Sequence, residues 1–146
     1  MAPQEPLPLH HSWPLYERDA RLDLGLLLDS GPDGAATAGA GSAGHWHCDL
    51  ASGQLTWAPG VRELFGMAPD AAADRTHALW RYEELSRAAM ERLRAHAIRH
   101  CRGFTIDVRL RGAGVRWMRL VAAPIVTERR VTGLHGWKSD VSALYR

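Results

Sequence analysis

A few groups of side chains have the types and spacings that chemistry needs. His96 and His100 stand four apart in a helical pattern, which presents two imidazoles on one helix face. Arg94 and Arg99 flank them, and arginines are poor neighbours for a metal cation, so exposed helical histidines are the competing reading. His45 and His47 share one face of an expected strand while Cys48 points to the other, so the three cannot form a local ligand set and read as surface residues. Cys48 and Cys101 are the only cysteines, with no Cys-x-x-Cys spacing, which fits a reducing cytoplasm better than a disulfide framework. The chain has no Gly-x-Ser-x-Gly elbow, no His-Glu-x-x-His, and no lysine in the Gly39–Gly44 stretch to complete a phosphate loop. These observations predict a protein that is not an enzyme, and they identify no cofactor.

The elements that would position such groups are bounded first by length and charge. A chain of 146 residues, 46% hydrophobic, can bury one real core but not two ordinary domains. Lys+Arg 18 against Asp+Glu 16 leaves a formal charge of +2, with no one-signed field to recruit nucleic acid or an anionic membrane. Almost all of the positive charge is arginine, and Lys138 is the only lysine. No apolar run approaches the roughly 18 residues that a membrane span requires, nor is there an export signal.

Pro3, Pro6 and Pro8 make residues 1–11 a flexible lead-in. Ser12 can cap a helix over 12–30 with Pro14 in its first turn, and Tyr16, Ala20, Leu24, Leu27 and Leu28 form an apolar stripe that something must cover. Residues 31–43 are Gly/Ala-rich and read as a linker, leaving 44–146 as the compact domain. In that domain His45 to Leu50 and Gln54 to Trp57 form a hairpin turned at Gly53. Val61 to Phe65 is a short helix capped by Gly66, and Thr76 to His100 is helical with a break near Arg81 to Glu83. Gly103 is read as the helix stop.

Beyond it the period changes to two. Phe104, Ile106, Val108 and Leu110 alternate with Thr105, Asp107, Arg109 and Arg111. Val115 to Val126 is apolar at almost every position, as in a strand covered on both faces, and Val131 to Val141 supplies the last strand. The plan is α+β with antiparallel hairpins at both ends.

Gly44, Trp46, Asp49, Gly53, Trp57 and Ala58, followed by Glu63, Leu64, Phe65 and Gly66, match in order and spacing the opening motif of the PAS family. Arg116 and Trp117 resemble its Arg-Trp pair in the fourth strand, and Gly136, Asp140, Val141 and Ser142 resemble its closing Gly-x-x-x-Asp-Ile-Thr. The resemblance covers Gly44 to about Ser142. It implies a five-stranded antiparallel sheet with helices on one face enclosing a small cavity, and an outer face covered by the N-terminal helix or a second subunit. One departure is the stretch from Trp80 to Glu84, which has no proline and none of the family's usual cap before the long helix. Cys101, Arg102 and Phe104 partly match the photoactive cysteine motif of light-oxygen-voltage relatives, but Gly103 interrupts it and the thiol is read as inert.

The function this implies is a stand-alone sensory module of the cytoplasm that binds a small molecule or a protein partner. It would signal in trans, through a homodimer or an effector protein. The expected pocket residues are Phe65, Trp80, Leu85, Ile98, Phe104, Ile106, Val108, Met118 and Leu120, with a closed core as the alternative. Tyr16, Ala20, Leu24, Leu27 and Leu28 are the expected dimer or partner contacts. The alternatives are a ligand-free dimerisation module, or a haem sensor with His96 or His100 as axial ligand, since haem-binding PAS relatives take a histidine from a helix of this region.

Overall fold

The computed structural model describes residues 9–22, 43–65, 75–112 and 116–145. In chain order these form strand β1 (His10–Pro14), a 3-10 turn (Leu15–Glu17), β2 (Ala43–Asp49) and β3 (Leu55–Trp57). Helices α1 (Pro59–Leu64), α2 (Arg75–Trp80) and α3 (Glu84–His100) follow, then β4 (Arg102–Leu110), β5 (Arg116–Thr127), β6 (Arg130–Asp140) and a closing 3-10 turn (Ser142–Tyr145).

All six strands lie in one antiparallel sheet of order β1-β4-β5-β6-β2-β3. The period-two pattern sorts its side chains onto two faces. Phe104, Ile106 and Val108 on β4 pair with Ala122, Leu120 and Met118 on β5, and this inner face packs on the helices. Trp46, Cys48, Trp57, Phe65, Tyr82 and Met90 complete that core.

The N-terminus differs from the expected helix. His10–Pro14 is a sixth strand, paired with Arg102–Ile106 at the sheet edge, and helical geometry begins only at 18–22. The otherwise unpaired edge of β4, which pairs with five residues of β1, outweighs the capping signal of Ser12 and Pro14, because the sheet partner lies some ninety residues away and is invisible to local propensity. The lead-in up to Pro8, the later part of the expected helix with Leu24, Leu27 and Leu28, the linker up to Ser42 and the Gly66 cap fall outside the described residues.

Gly103 does not stop α3. That role belongs to Cys101, which turns into the left-handed region at φ 53 and returns its N–H to the Ala97 carbonyl. Gly103 is instead the seat of Trp13. A Cβ there would lie 2.1 Å from the Trp13 ring, so only glycine lets the indole reach the sheet. Trp13 is fully buried on the outer face against Val121 and Ala123, with Leu22 packed beside it, and its Nε1 donates to Thr105 Oγ1 at 3.1 Å.

The stretch before α3 is also better fixed than the sequence indicates. Glu83 occupies the N-cap and its carboxylate accepts from Leu85 N at 3.4 Å. Its own N–H donates to the Arg109 carbonyl, Arg111 N–H donates to the Arg81 carbonyl, and Ser86 Oγ accepts from Arg109 N–H. The break between α2 and α3 is thus laced to the end of β4.

Candidate functional site

Between the inner face of the sheet and helices α2 and α3 lies a small cavity of about 50 Å³. Its sheet side is formed by Trp46 and Cys48 of β2, Leu55 of β3, Phe104 of β4, Leu120 of β5, and Leu134 and Lys138 of β6. Its helical side is formed by Arg75, Ala78 and Leu79 of α2, Tyr82 of the connection, and Met90 and Arg94 of α3. The last two are four apart, one above the other on a single helix face.

Most of the wall is apolar and the floor is not. Leu134, Gly136 and Lys138 share one parity of β6, and Lys138 pairs across the sheet with Gly44 and Leu120, so its side chain enters the core. It is 4% exposed. Its Nζ lies 5.2 Å from the Trp46 ring, 5.2 Å from Trp57 and 4.9 Å from Phe65, three ring faces that favour a cation. Phe65 stacks between Trp57 at 4.9 Å and Tyr82 at 6.1 Å, which holds those faces in place.

Burial outweighs the rings and pushes the ammonium down from 10.5 to about 7, so the group changes charge near neutrality. The same burial raises the Tyr82 phenol. Lys138 has no hydrogen-bond acceptor among the described residues. The indole Nε1 atoms of Trp46 and Trp57 are likewise buried without a partner among them. Arg75 is engaged by Glu91, whereas Arg94 has no ion pair among the described residues.

Of the residues expected to line a pocket, Phe104 and Leu120 border this cavity. Phe65, Ile106, Val108 and Met118 are buried in the core around it, and Ile98 packs on that core from α3. Trp80 and Leu85 require correction. They are 59% and 78% exposed, because α2 ends at Trp80 and turns its ring outward between the guanidinium groups of Arg81 and Arg111. Leu85 lies in the first turn of α3 on the solvent side.

Sequence reasoning missed Lys138, Tyr82 and Arg94, since charged and hydroxylated residues default to the surface. The parity of β6 was the available signal: with Leu134 facing inward, Lys138 has to follow it.

The histidines are placed apart from the cavity. His96 and His100 are exposed, with ring centroids 4.6 Å apart, and His96 borders a groove between α3 and β1 with His10 and Ser12. His45 and His47 stand on the outer face of β2, where desolvation by its surroundings, then His47, lowers the His45 imidazole. Among the described residues no group of three His, Cys, Asp or Glu side chains is placed to hold a metal ion. Tyr16 and Ala20 are exposed.

No protein-family model matches the chain, and no curated protein matches it. Solved structures do. An RNA-binding light-oxygen-voltage receptor is similar over 72% of this chain and 31% of its own, at 18% identity and a TM-score of 0.64. The N-terminal domain of a diguanylate cyclase with PAS/PAC sensor from Marinobacter aquaeolei is similar over 71% of this chain and 99% of its own, at 16% identity and a TM-score of 0.64. A sensory box histidine kinase/response regulator from Burkholderia thailandensis is similar over 75% of this chain and 83% of its own, at 20% identity and a TM-score of 0.61. The chain thus spans about a third of the first of these and nearly all of the second. The fold is that of PAS domains, extended by β1 at the sheet edge. No helix among the described residues is long and apolar enough to cross a membrane.

Proposed function

We propose that the chain is a sensory module that takes a small molecule into the cavity between the sheet and helices α2 and α3, and passes the change to a partner or a second copy. One observation carries the reading: Lys138, with no hydrogen bond among the described residues, and Trp46, whose indole N–H is buried without a partner among them, border a cavity that the fold places between the sheet and the helices. A closed structural core has no use for an amine without an acceptor, and burying one costs stability unless something offsets it. Binding at this place would bias the packing of α2 and α3 on β4, β5 and β6, and the outer face beneath Trp13 would feel the displacement through the same strands. In this reading the module works in the cytoplasm, does no chemistry of its own, and acts through a homodimer or an effector protein.

Native mass spectrometry of the freshly purified chain, compared with its denatured mass, tests this directly. A noncovalent mass present in the native protein, and reduced in an Ala78→Leu variant that narrows the cavity, is the expected result. A native protein that carries no added mass and gains no thermal stability from any member of a metabolite library removes the ligand and leaves a ligand-free dimerisation module.

A further inference from the structure

We propose that the cavity recognises a small organic monocarboxylate, its carboxylate set between Lys138 and Arg94 and its hydrocarbon part against Leu55, Leu79, Phe104 and Leu134. This rests on the cavity being the sensory site and adds the chemical class of its ligand.

The charge around the cavity is one-sided. Glu91 is the one carboxylate beside it among the described residues, and it already answers Arg75. That leaves the Arg94 guanidinium at the helical side and the Lys138 amine at the floor, both without an anion, and the Trp46 indole N–H buried without an acceptor. Every unsatisfied group is a donor, so a complementary ligand is an acceptor that carries negative charge. The volume of about 50 Å³, less than two waters occupy in the liquid at roughly 30 Å³ apiece, limits the ligand to a few heavy atoms, about the size of acetate, with its alkyl end against the hydrocarbon walls. A phosphate would need more donors than Lys138, Arg94 and the Trp46 indole to replace its hydration.

The amine also couples recognition to protons. Lys138 shares the cavity wall with Cys48 of β2, Arg75 of α2, itself paired with Glu91, Tyr82 of the connection and Arg94 of α3, and burial leaves it titrating near 7. A carboxylate that pairs with the ammonium must bring one proton with it above that pH. Affinity is then flat below about pH 7 and falls about tenfold per unit above it until the amine of the complex also titrates.

Isothermal titration calorimetry with formate, acetate and propionate, each against its own amide, is the test, run from pH 6 to 9 in buffers of different ionisation heat. The expected result is binding of at least one acid with its amide at least tenfold weaker, proton uptake at pH 8, and loss of the acid preference and of the uptake in Lys138→Met. Arg94→Gln, at a half-buried position that does not burden folding, should weaken the acid and leave the proton uptake in place. Amides that bind as tightly as acids overturn the carboxylate assignment while leaving the cavity as a ligand site. Binding of neither class also overturns it, and the sensory reading is then decided separately by the bound mass described above.

Discussion

Tyr145 donates its hydroxyl to Asp107 Oδ2 at 2.6 Å, closing the last described turn onto the middle of β4. The same carboxylate, wholly buried, accepts both arms of Arg119, Nε at 2.8 Å and Nη2 at 2.9 Å. Tyr145 stacks on Trp117 at 4.3 Å, and Leu9 reaches the same spot, its N–H donating to the Tyr145 hydroxyl and its carbonyl accepting from Asp107 N–H. Both ends of the described chain therefore converge on one acid. Asp107→Ala should cost about 3–5 kcal/mol, since it leaves a half-buried guanidinium unpaired. Tyr145→Phe removes one bond to a charged group and should cost about 1.5–3 kcal/mol. Urea unfolding measures both, and a Tyr145→Phe loss equal to that of Asp107→Ala contradicts the assignment of Arg119 as the main partner.

Gly103→Ala places a methyl group inside the Trp13 ring, so the ring has to leave its seat. The expected outcome is release of β1 from the sheet edge, with a loss approaching the about 3–5 kcal/mol of a Trp→Ala truncation. Hydrogen exchange should rise at His10–Trp13 while remaining protected at Val108 and Leu120. Uniform loss of protection would instead show that β1 belongs to the cooperative core.

The contrast between β1 and β4 shows what was legible in the sequence. Phe104, Ile106, Val108 and Leu110 announce β4 by their own alternation, and Trp46, Gly53 and Trp57 announce the first hairpin, because these signals are local. His10–Pro14 carries no such pattern and becomes a strand only through the free edge it meets. The pocket was legible in its apolar members on β4 and β5 and illegible in its charged ones. Trp80 and Leu85 satisfied a helical period yet sit where α2 ends and α3 begins, so their helix faces have no sheet beneath them.

The β5–β6 hairpin turns through Glu128 at φ 50 and Arg129 at φ 67, two successive left-handed residues between the paired Thr127 and Arg130. Both φ values are those of a two-residue type I′ turn, in which Asn-Gly is favoured and a long L side chain costs about 1 kcal/mol or more per residue. The double variant Glu128→Asn/Arg129→Gly should raise stability by about 1–2 kcal/mol, offset in part by the entropy glycine adds to the unfolded chain. Thermal unfolding reads the gain, and an unchanged or lowered midpoint would falsify the turn assignment.

Lys138 ties stability to pH in a direction opposite to that of a salt-bridged lysine. Its folded value of about 7 lies below the unfolded 10.5, so between these limits the unfolded chain binds more protons and stability rises with pH. Below about pH 7 the ammonium is charged in both states and its burial penalty is fully present. At about 1.4 kcal/mol per unit the span amounts to on the order of 5 kcal/mol. Lys138→Met keeps the length and removes the charge, so at pH 6 it should be the more stable protein, with the advantage shrinking steadily from pH 7 to pH 10. The comparison ends there because Tyr82, whose phenol is raised by burial, pulls stability down above pH 10 in both proteins. As Lys138 is the only lysine, a lysine 13Cε label gives one resonance, and its titration midpoint near 7 reports the same shift directly. A midpoint near 10 together with parallel stability curves for the two proteins would place the amine in water and dissolve the charged floor of the cavity.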